Sequence, residues 1–361
     1  MRRKPRWYWP LLLLLALGLL AGCGAPDYVE TADDCLPGEV YDPEDELCYL
    51  EVDCDSDAAC QQEGDSLADL ILGVAASLLN VAMEPGVEGW EQLNEVALMA
   101  YQVDGDRIFD PQPADVAQDR IALRDDEDTH LALWQYFASL IPLDERRMIT
   151  RYVVFSDGPE ETLAMVEPDP EDPTRWTLAI DPADVGDREE LTYTLIHEFG
   201  HLLTLDARQV PPDLALAQDP ENEDLYQEAA EACPYYFPGE GCSTAESYIN
   251  AFFERFWIDR YDEWLEIDAE EDEDRRLDLL EQFYQDYEDE FVTDYAATNP
   301  EEDIAEAWTL FVLQPKPAGD TIAEQKMLFF YQYPELVRLR TEIAARVYSQ
   351  LRQRDDRAPG Q

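Results

Sequence analysis

The stretch His197-Glu198-Phe199-Gly200-His201 constrains this chain more than any other, because its chemistry requires a helix. Residues four apart sit on one face of a helix. On a strand the same two imidazoles would lie about 13 Å apart. On a helix both rings reach a single metal ion, and Glu198 stands beside them to handle a proton. The limits of that helix are legible too. Asp187 is a capping residue, Glu190 completes a capping box, and the helix is expected to run to about Asp206.

A hydrolytic zinc site needs a third protein ligand and an open position for water. His130, the only other histidine, is one option, but it follows the acidic run Asp125 to Asp128 and precedes a helix, which suits a solvated surface position. Glu302 is the preferred third ligand. Asn299 caps a helix there and Pro300 occupies its first position, so Glu302 and Glu306 share a face. One carboxylate can bind metal while the other accepts the free ring N–H of a ligand histidine. Glu306 is therefore the rival of Glu302 for the ligand role.

Together, His197-Glu198-Phe199-Gly200-His201 and the stretch Tyr295, Asn299, Glu302, Glu306 resemble the gluzincin metallopeptidases, and within them the lethal-factor-like group. In that group a tyrosine lies seven residues before a glutamate zinc ligand, and a second glutamate follows four residues later. Tyr295, Glu302 and Glu306 match those positions one by one. The resemblance implies a zinc ion held by His197, His201 and Glu302, with Glu306 behind a ligand. Glu198 is then the general acid–base group, and Tyr295 a donor to the oxyanion of a tetrahedral intermediate. Trp176 to Ile180 resembles the cleft-lining strand before the zinc helix, able to take an extended substrate by strand addition. The likeness covers two helices and their approaches. It departs from the family in the roughly one hundred residues between His201 and Glu302, a longer span than the pattern leads one to expect. An inserted helical, disulfide-bearing subdomain at about 207–290 accounts for that length. Gly200 inside the helix costs about 1 kcal/mol relative to alanine, so it is expected to admit another backbone at close range.

The N-terminus points to export. Arg2, Arg3, Lys4 and Arg6 precede an apolar run, Leu11 to Leu20, that is too short to span a bilayer comfortably and reads as a secretion signal. It ends Leu20-Ala21-Gly22-Cys23, which resembles the lipobox of bacterial lipoproteins. The resemblance implies cleavage before Cys23, lipidation of its thiol and anchorage to a membrane surface. Residues 1–22 are then the signal peptide, residues 23–65 an acidic, cysteine-bearing tether, and residues 66–361 the catalytic domain. Setting Cys23 aside leaves six of the seven cysteines, an even number suited to an oxidising compartment. Short separations suggest Cys35–Cys48, Cys54–Cys60 and Cys233–Cys242, although six cysteines allow many connectivities.

Charge excludes other partners. The chain carries 82 acidic against 25 basic residues, a net −57, and its only lysines are Lys4, Lys316 and Lys326. Such a surface repels nucleic acid and anionic lipid heads. Acidic clusters are compatible with calcium, but there is no Asp-x-Asp-x-Asp-Gly loop, so they read as solvated surface.

Between these landmarks, Leu67 to Leu79 reads as a buried helix and Leu131 to Leu140 as an aromatic amphipathic one. Tyr152 to Phe155 and Trp176 to Ile180 read as strands, stopped by Asp157-Gly158-Pro159 and by Asp181-Pro182. Thr244 to Ile267 carries a core-forming aromatic stripe, and Leu328 to Leu351 a further amphipathic helix. The expected fold is α+β and predominantly helical. A small mixed sheet lies against the zinc helix, a helical C-terminal lobe follows in the zincin manner, and the cleft runs between them. The expected activity is zinc-dependent hydrolysis of peptide bonds in a peptide or protein substrate, at a bacterial cell surface or in the periplasm. Two other classes fit the residues: a lipid-anchored scaffold with a closed structural zinc, and a zinc amidase acting on the cell wall.

Overall fold

A computed structural model describes residue 35 and residues 38–43, 47–52, 54–81, 96–158, 162–220, 222–270 and 272–356. The signal segment and Cys23 lie outside the described residues. In chain order, strands β1 (Glu39–Asp42) and β2 (Leu47–Leu50) form an antiparallel hairpin, followed by helix α1 (Asp57–Val74). Strands β3 (Val96–Asp104) and β4 (Arg107–Pro113) form a second hairpin. Helices α2 (Ile121–Arg124) and α3 (Glu127–Leu140) come next, then strands β5 (Ile149–Ser156), β6 (Ala164–Pro168) and β7 (Trp176–Ile180). The rest is helical. It comprises α4 (Arg188–Leu205), α5 (Leu214–Gln218), α6 (Glu223–Ala232), α7 (Tyr248–Phe256), α8 (Tyr261–Asp268), α9 (Glu273–Asp286), α10 (Pro300–Leu313), α11 (Ile322–Phe329) and α12 (Pro334–Asp356). The fold is thus α+β, with a small mixed sheet, as composition and periodicity lead one to expect.

The sheet has the order β4-β3-β5-β7-β6. Only β5 and β7 run parallel; the other pairs are antiparallel. Alternation divides β5 between two faces. Tyr152 and Val154 enter the main core, whereas Val153 and Phe155 join Ala179 in a smaller cluster on the opposite face. The β3–β4 hairpin was not anticipated. Its signal was Asp104-Gly105: Gly105 has φ +63°, which a tight hairpin turn needs and which glycine adopts without steric cost. Strand β4 lies at one edge, largely exposed, and carries Pro111 and Pro113, residues that blunt an open edge.

Strand β7 does not line an open edge. It is paired on both sides, to β5 and to β6, and all five of its residues are buried. Among the described strands the free edge belongs to β6, which sits beside α4. A run of apolar residues identifies a strand but not its neighbours, so the sequence does not reveal that Trp176 to Ile180 is an interior strand.

Residues 23–65 were expected to form a tether. Those described are instead docked on the body. Leu47, Cys48 and Tyr49 are buried, and α1 begins at Asp57 and lies along α12 through Cys60, Gly64, Leu67, Ala68 and Ile71. A side chain at Gly64 would meet Arg340 Nη1 at 2.6 Å and Thr341 Oγ1 at 2.8 Å, so glycine lets the two helices approach. Arg340 is fully buried and donates to the Phe311 carbonyl and to the Gln314 carbonyl (2.7 Å), capping the C-terminal end of α10. It also pairs with Asp65 of α1 (3.0 Å), so a residue of the supposed tether completes a buried cap.

Helix boundaries elsewhere follow local chemistry. Helix α1 stops at Val74, with a 3-10 turn over Ala76–Asn80, so the Leu67 to Leu79 segment is the second half of a longer helix and its extension. The C-terminal stretch expected as one helix from Leu328 is two, because Pro334 lacks the N–H to continue α11 and instead opens α12. The aromatic stripe likewise divides into α7 and α8, while Phe252, Trp257, Trp264 and Ile267 are buried as expected of core. Helices α5 to α9 occupy the interval assigned to an inserted subdomain. Tyr236, Phe252, Trp264 and Phe283 belong to the same apolar core as the sheet and α4, so this interval is not a separate folding body. All three expected disulfides are formed: Cys35–Cys48, Cys54–Cys60 and Cys233–Cys242.

Candidate metal centre

Helix α4 is capped by Asp187, whose side chain accepts the Glu189 N–H (2.8 Å), and it is buried from Leu191 to Thr204. Helix α10 is capped by Asn299, whose side-chain oxygen accepts the Glu302 N–H (2.7 Å), with Pro300 at its first position. The two helices cross at Gly200. A Cβ there would stand 3.0 Å from Ala305 Cα and 3.2 Å from Trp308 Cδ1, so glycine is what allows α10 to lie against α4. Ala305 falls between Glu302 and Glu306, and Gly200 between His197 and His201. The close crossing therefore brings all four side chains together.

Three donor atoms form a triangle. His197 Nε2 lies 3.1 Å from His201 Nε2 and 2.9 Å from Glu302 Oε2, and His201 Nε2 lies 3.3 Å from the same carboxylate oxygen. Donors about 2.1 Å from one ion at tetrahedral angles are about 3.4 Å apart, so the triangle has the dimensions of one face of a zinc site. Two imidazoles and one carboxylate are also a donor set that zinc accepts. The residues present thus fit a zinc ion, which His197, His201 and Glu302 would hold.

Glu306 takes the other role. Its Oε1 is 2.8 Å from His197 Nδ1, while Oε2 accepts from the Tyr193 hydroxyl (2.9 Å) and from Thr293 Oγ1 (2.7 Å). Both oxygens are engaged, and the residue is 1 % exposed. Such a carboxylate fixes the tautomer and orientation of the histidine in front of it. Of the two glutamates, geometry thus groups Glu302 with the imidazole Nε2 atoms and sets Glu306 behind His197.

The electrostatics follow from burial and pairing. Burial works against charge on His197, but Glu302 and Glu306 on either side prevail and raise its pKa well above 6.5. Glu302 is raised by burial and lowered more strongly by His201 and His197, which hold it well below the usual carboxylate range. Glu198 is buried and is pushed up to about 7; the two histidines and the Val166 backbone N–H restrain that rise. The Val166 contact brings the edge strand β6 to Glu198. Tyr295 opens a 3-10 turn just before α10, half-buried, with its ring centroid 5.6 Å from that of His197.

His130 takes no part. It is fully buried rather than solvated, with Nδ1 2.8 Å from the Tyr101 hydroxyl and Nε2 2.8 Å from the Leu123 carbonyl. The preceding acidic residues cap helix α3 through Asp126 and leave the ring facing inward.

Sequence reasoning missed the supports of α10. The indole of Trp264 donates to the Thr298 carbonyl (2.6 Å), and that of Trp257 to Asp303 Oδ2 (2.7 Å). The same Asp303 pairs with buried Lys326 of α11, whose ammonium lies 4.0 Å from the Phe291 ring centroid. The stripe between the two halves of the site thus anchors the start of the helix that carries Glu302. The signal available was the pair of tryptophans themselves, since a buried indole seeks an acceptor.

Compared with family models, with curated proteins and with solved structures, the chain shows no match.

Proposed function

We propose that this chain is a zinc-dependent metallopeptidase of the gluzincin kind, with the lethal-factor-like arrangement of Tyr295, Glu302 and Glu306 and a zincin-like fold. Its chief support is the triangle of donor atoms from His197, His201 and Glu302, 2.9 to 3.3 Å on its edges, with a buried carboxylate next in sequence to the first ligand. A bound zinc ion would acidify a water to near neutrality and polarise the carbonyl under attack. Glu198 takes the proton of the attacking water and returns it to the leaving nitrogen. A carboxyl pushed up to about 7 suits a group that must both accept and release a proton near neutral pH. Tyr295 donates to the developing oxyanion, a contribution on the order of 3 kcal/mol when preorganised. Strand β6, the free edge beside α4, pairs with an extended substrate.

Export and lipidation at Cys23 place this activity on a bacterial membrane surface. The three disulfides suit the oxidising compartment that this requires.

The test is Glu198→Gln. Zinc content by metal analysis stays near one per chain, while cleavage of a peptide library falls to background. Turnover retained by that variant excludes the mechanism. Cell-wall fragments screened beside the peptides separate a peptidase from a wall amidase.

A further inference from the structure

Two strands end in aspartates whose role extends beyond stopping the strand. Asp157 follows β5 and Asp181 follows β7. Because β5 and β7 are parallel neighbours, these ends meet at one side of the sheet. Asp184 joins them from the turn before α4, and carboxylate oxygens of the three lie within 4.8 Å of one another. Asp157 and Asp181 are both 0 % exposed. Main-chain N–H groups occupy most of their oxygens: Asp181 accepts from Ala183 (2.7 Å) and Asp157 (3.2 Å), and Asp157 Oδ2 from Thr162 (3.1 Å). Asp157 Oδ1 is buried and accepts no hydrogen bond. Arg120 reaches this corner but donates Nη1 to the Ser156 carbonyl (3.2 Å), and no described lysine or arginine forms an ion pair with Asp157 or Asp181. Burial raises the pKa of Asp181, restrained by hydrogen bonds from the Ala183 and Asp157 main chain and the Ser156 side chain, and the neighbouring Asp157 charge adds to the rise. Asp157 and Asp181, two fully buried carboxylates with an orphaned oxygen on one of them, require a counter-charge.

We propose that Asp157, Asp181 and Asp184 bind a calcium ion that joins the loop after β5 to the loop before α4. The donors are all oxygens, which selects a hard cation. Oxygens around one calcium ion are at most about 5 Å apart, and each pair here lies inside that limit. The set is partly tied up by main-chain donors, which the flexible coordination of calcium tolerates and octahedral magnesium does not. Both joined loops bear on the metal centre. The Leu163 carbonyl, at the entry to β6, accepts the Asp181 N–H (2.9 Å), and β6 carries Val166 to Glu198. The other loop leads to the Asp187 cap of the zinc-ligand helix. The ion therefore fixes the substrate-side edge strand against α4.

The experiment uses the full chain, stripped of zinc and calcium, with calcium titrated at constant ionic strength. Binding is followed by calorimetry and stability by thermal unfolding. One calcium ion binds saturably, and the melting temperature rises by roughly 5 °C at calcium a hundredfold above its dissociation constant. Magnesium at equal ionic strength gives a smaller rise. Asp157→Asn weakens calcium binding about tenfold or more and melts no lower than the parent chain in calcium-free buffer, because a buried charge has gone. Asp184→Asn, at a half-buried position, weakens calcium in the same way. Absence of saturable calcium binding overturns the proposal. So does a rise equal to that given by magnesium, or one unchanged in both variants, since either assigns it to screening of the acidic surface. A loss of calcium-free stability in Asp157→Asn makes the cluster a set of structural carboxylates and also overturns it. All readouts are taken without zinc, so their failure leaves the peptidase proposal standing, and failure of the Glu198→Gln test leaves the calcium site standing.

Discussion

His197 carries two tasks in one ring. Its Nε2 belongs to the donor triangle and its Nδ1 to Glu306, with carboxylates on both sides and no solvent around it. Without metal, those carboxylates raise its pKa well above 6.5, so the ring keeps a proton through neutral pH. A metal ion must displace a proton to take Nε2. The sign follows: metal affinity falls as pH falls, and zinc uptake at pH 7 releases protons to the buffer. Titration calorimetry in two buffers of different ionisation enthalpy measures this as a difference in apparent heat. Equal heats would mean that no proton leaves and that His197 is neutral before metal arrives. Spacing alone pointed to His197, Glu198 and His201, because a helical turn is a local object. The division of labour between Glu302 and Glu306 was implied by the family resemblance, and spacing alone left Glu306 as a rival. It depends on which of two residues on one face lies nearer a helix more than a hundred positions away. His130 was misread for a related reason: its acidic neighbours in sequence say nothing of Tyr101 and the Leu123 carbonyl, which satisfy it in the core.

The crossing of α4 and α10 determines whether those residues meet. In isolation Gly200→Ala would favour the helix by about 1 kcal/mol. In this fold the added methyl meets Ala305 Cα at 3.0 Å and Ala305 Cβ at 3.2 Å, and main chain cannot rotate away. Overpacking of this kind costs about 1–3 kcal/mol, so the net effect is destabilising. Moving the helices apart also stretches the triangle, because the crossing lies between His197 and His201 on one helix and between Glu302 and Glu306 on the other. Gly200→Ala is therefore expected to lower the melting temperature and weaken zinc binding together, as read by thermal unfolding and chelator competition. A variant more stable than the parent would show that α10 yields easily. The sequence predicted that Gly200 admits a backbone, and it predicted the caps at Asp187 and Asn299, since capping is written within a few residues. Strand neighbours are not: β7 and β6 differ little as apolar runs, yet one is interior and the other carries the free edge. Pro334 was a legible break that the amphipathic pattern across it concealed.

At the scale of the molecule, three of the scarce cations among the described residues are buried as struts. Arg340, Lys326 and Arg146 are at most 2 % exposed, and each holds carbonyls or a carboxylate that joins separate elements. Composition recorded the shortage of basic residues but not where they go, and so the docked segment before residue 65 read as a tether: its partner Arg340 lies near the other end of the chain. The surface is left with a large excess of carboxylates, as the net charge of −57 requires. Repulsion among them opposes the compact state. Salt screens exposed charges far more than the buried pairs: the Debye length shrinks from about 10 Å at 0.1 M to about 3 Å at 1 M. Thermal stability is therefore expected to rise with sodium chloride over that range, and to rise equally with potassium chloride if screening alone is responsible. Scanning calorimetry of the full chain at fixed pH measures it. A melting temperature that stays flat or falls with salt would mean that exposed ion pairs, such as Arg107–Asp104 and Arg147–Asp144, outweigh the repulsion around them. Their exposure argues against that outcome, since such pairs contribute at most about 1 kcal/mol each and are screened by the same salt.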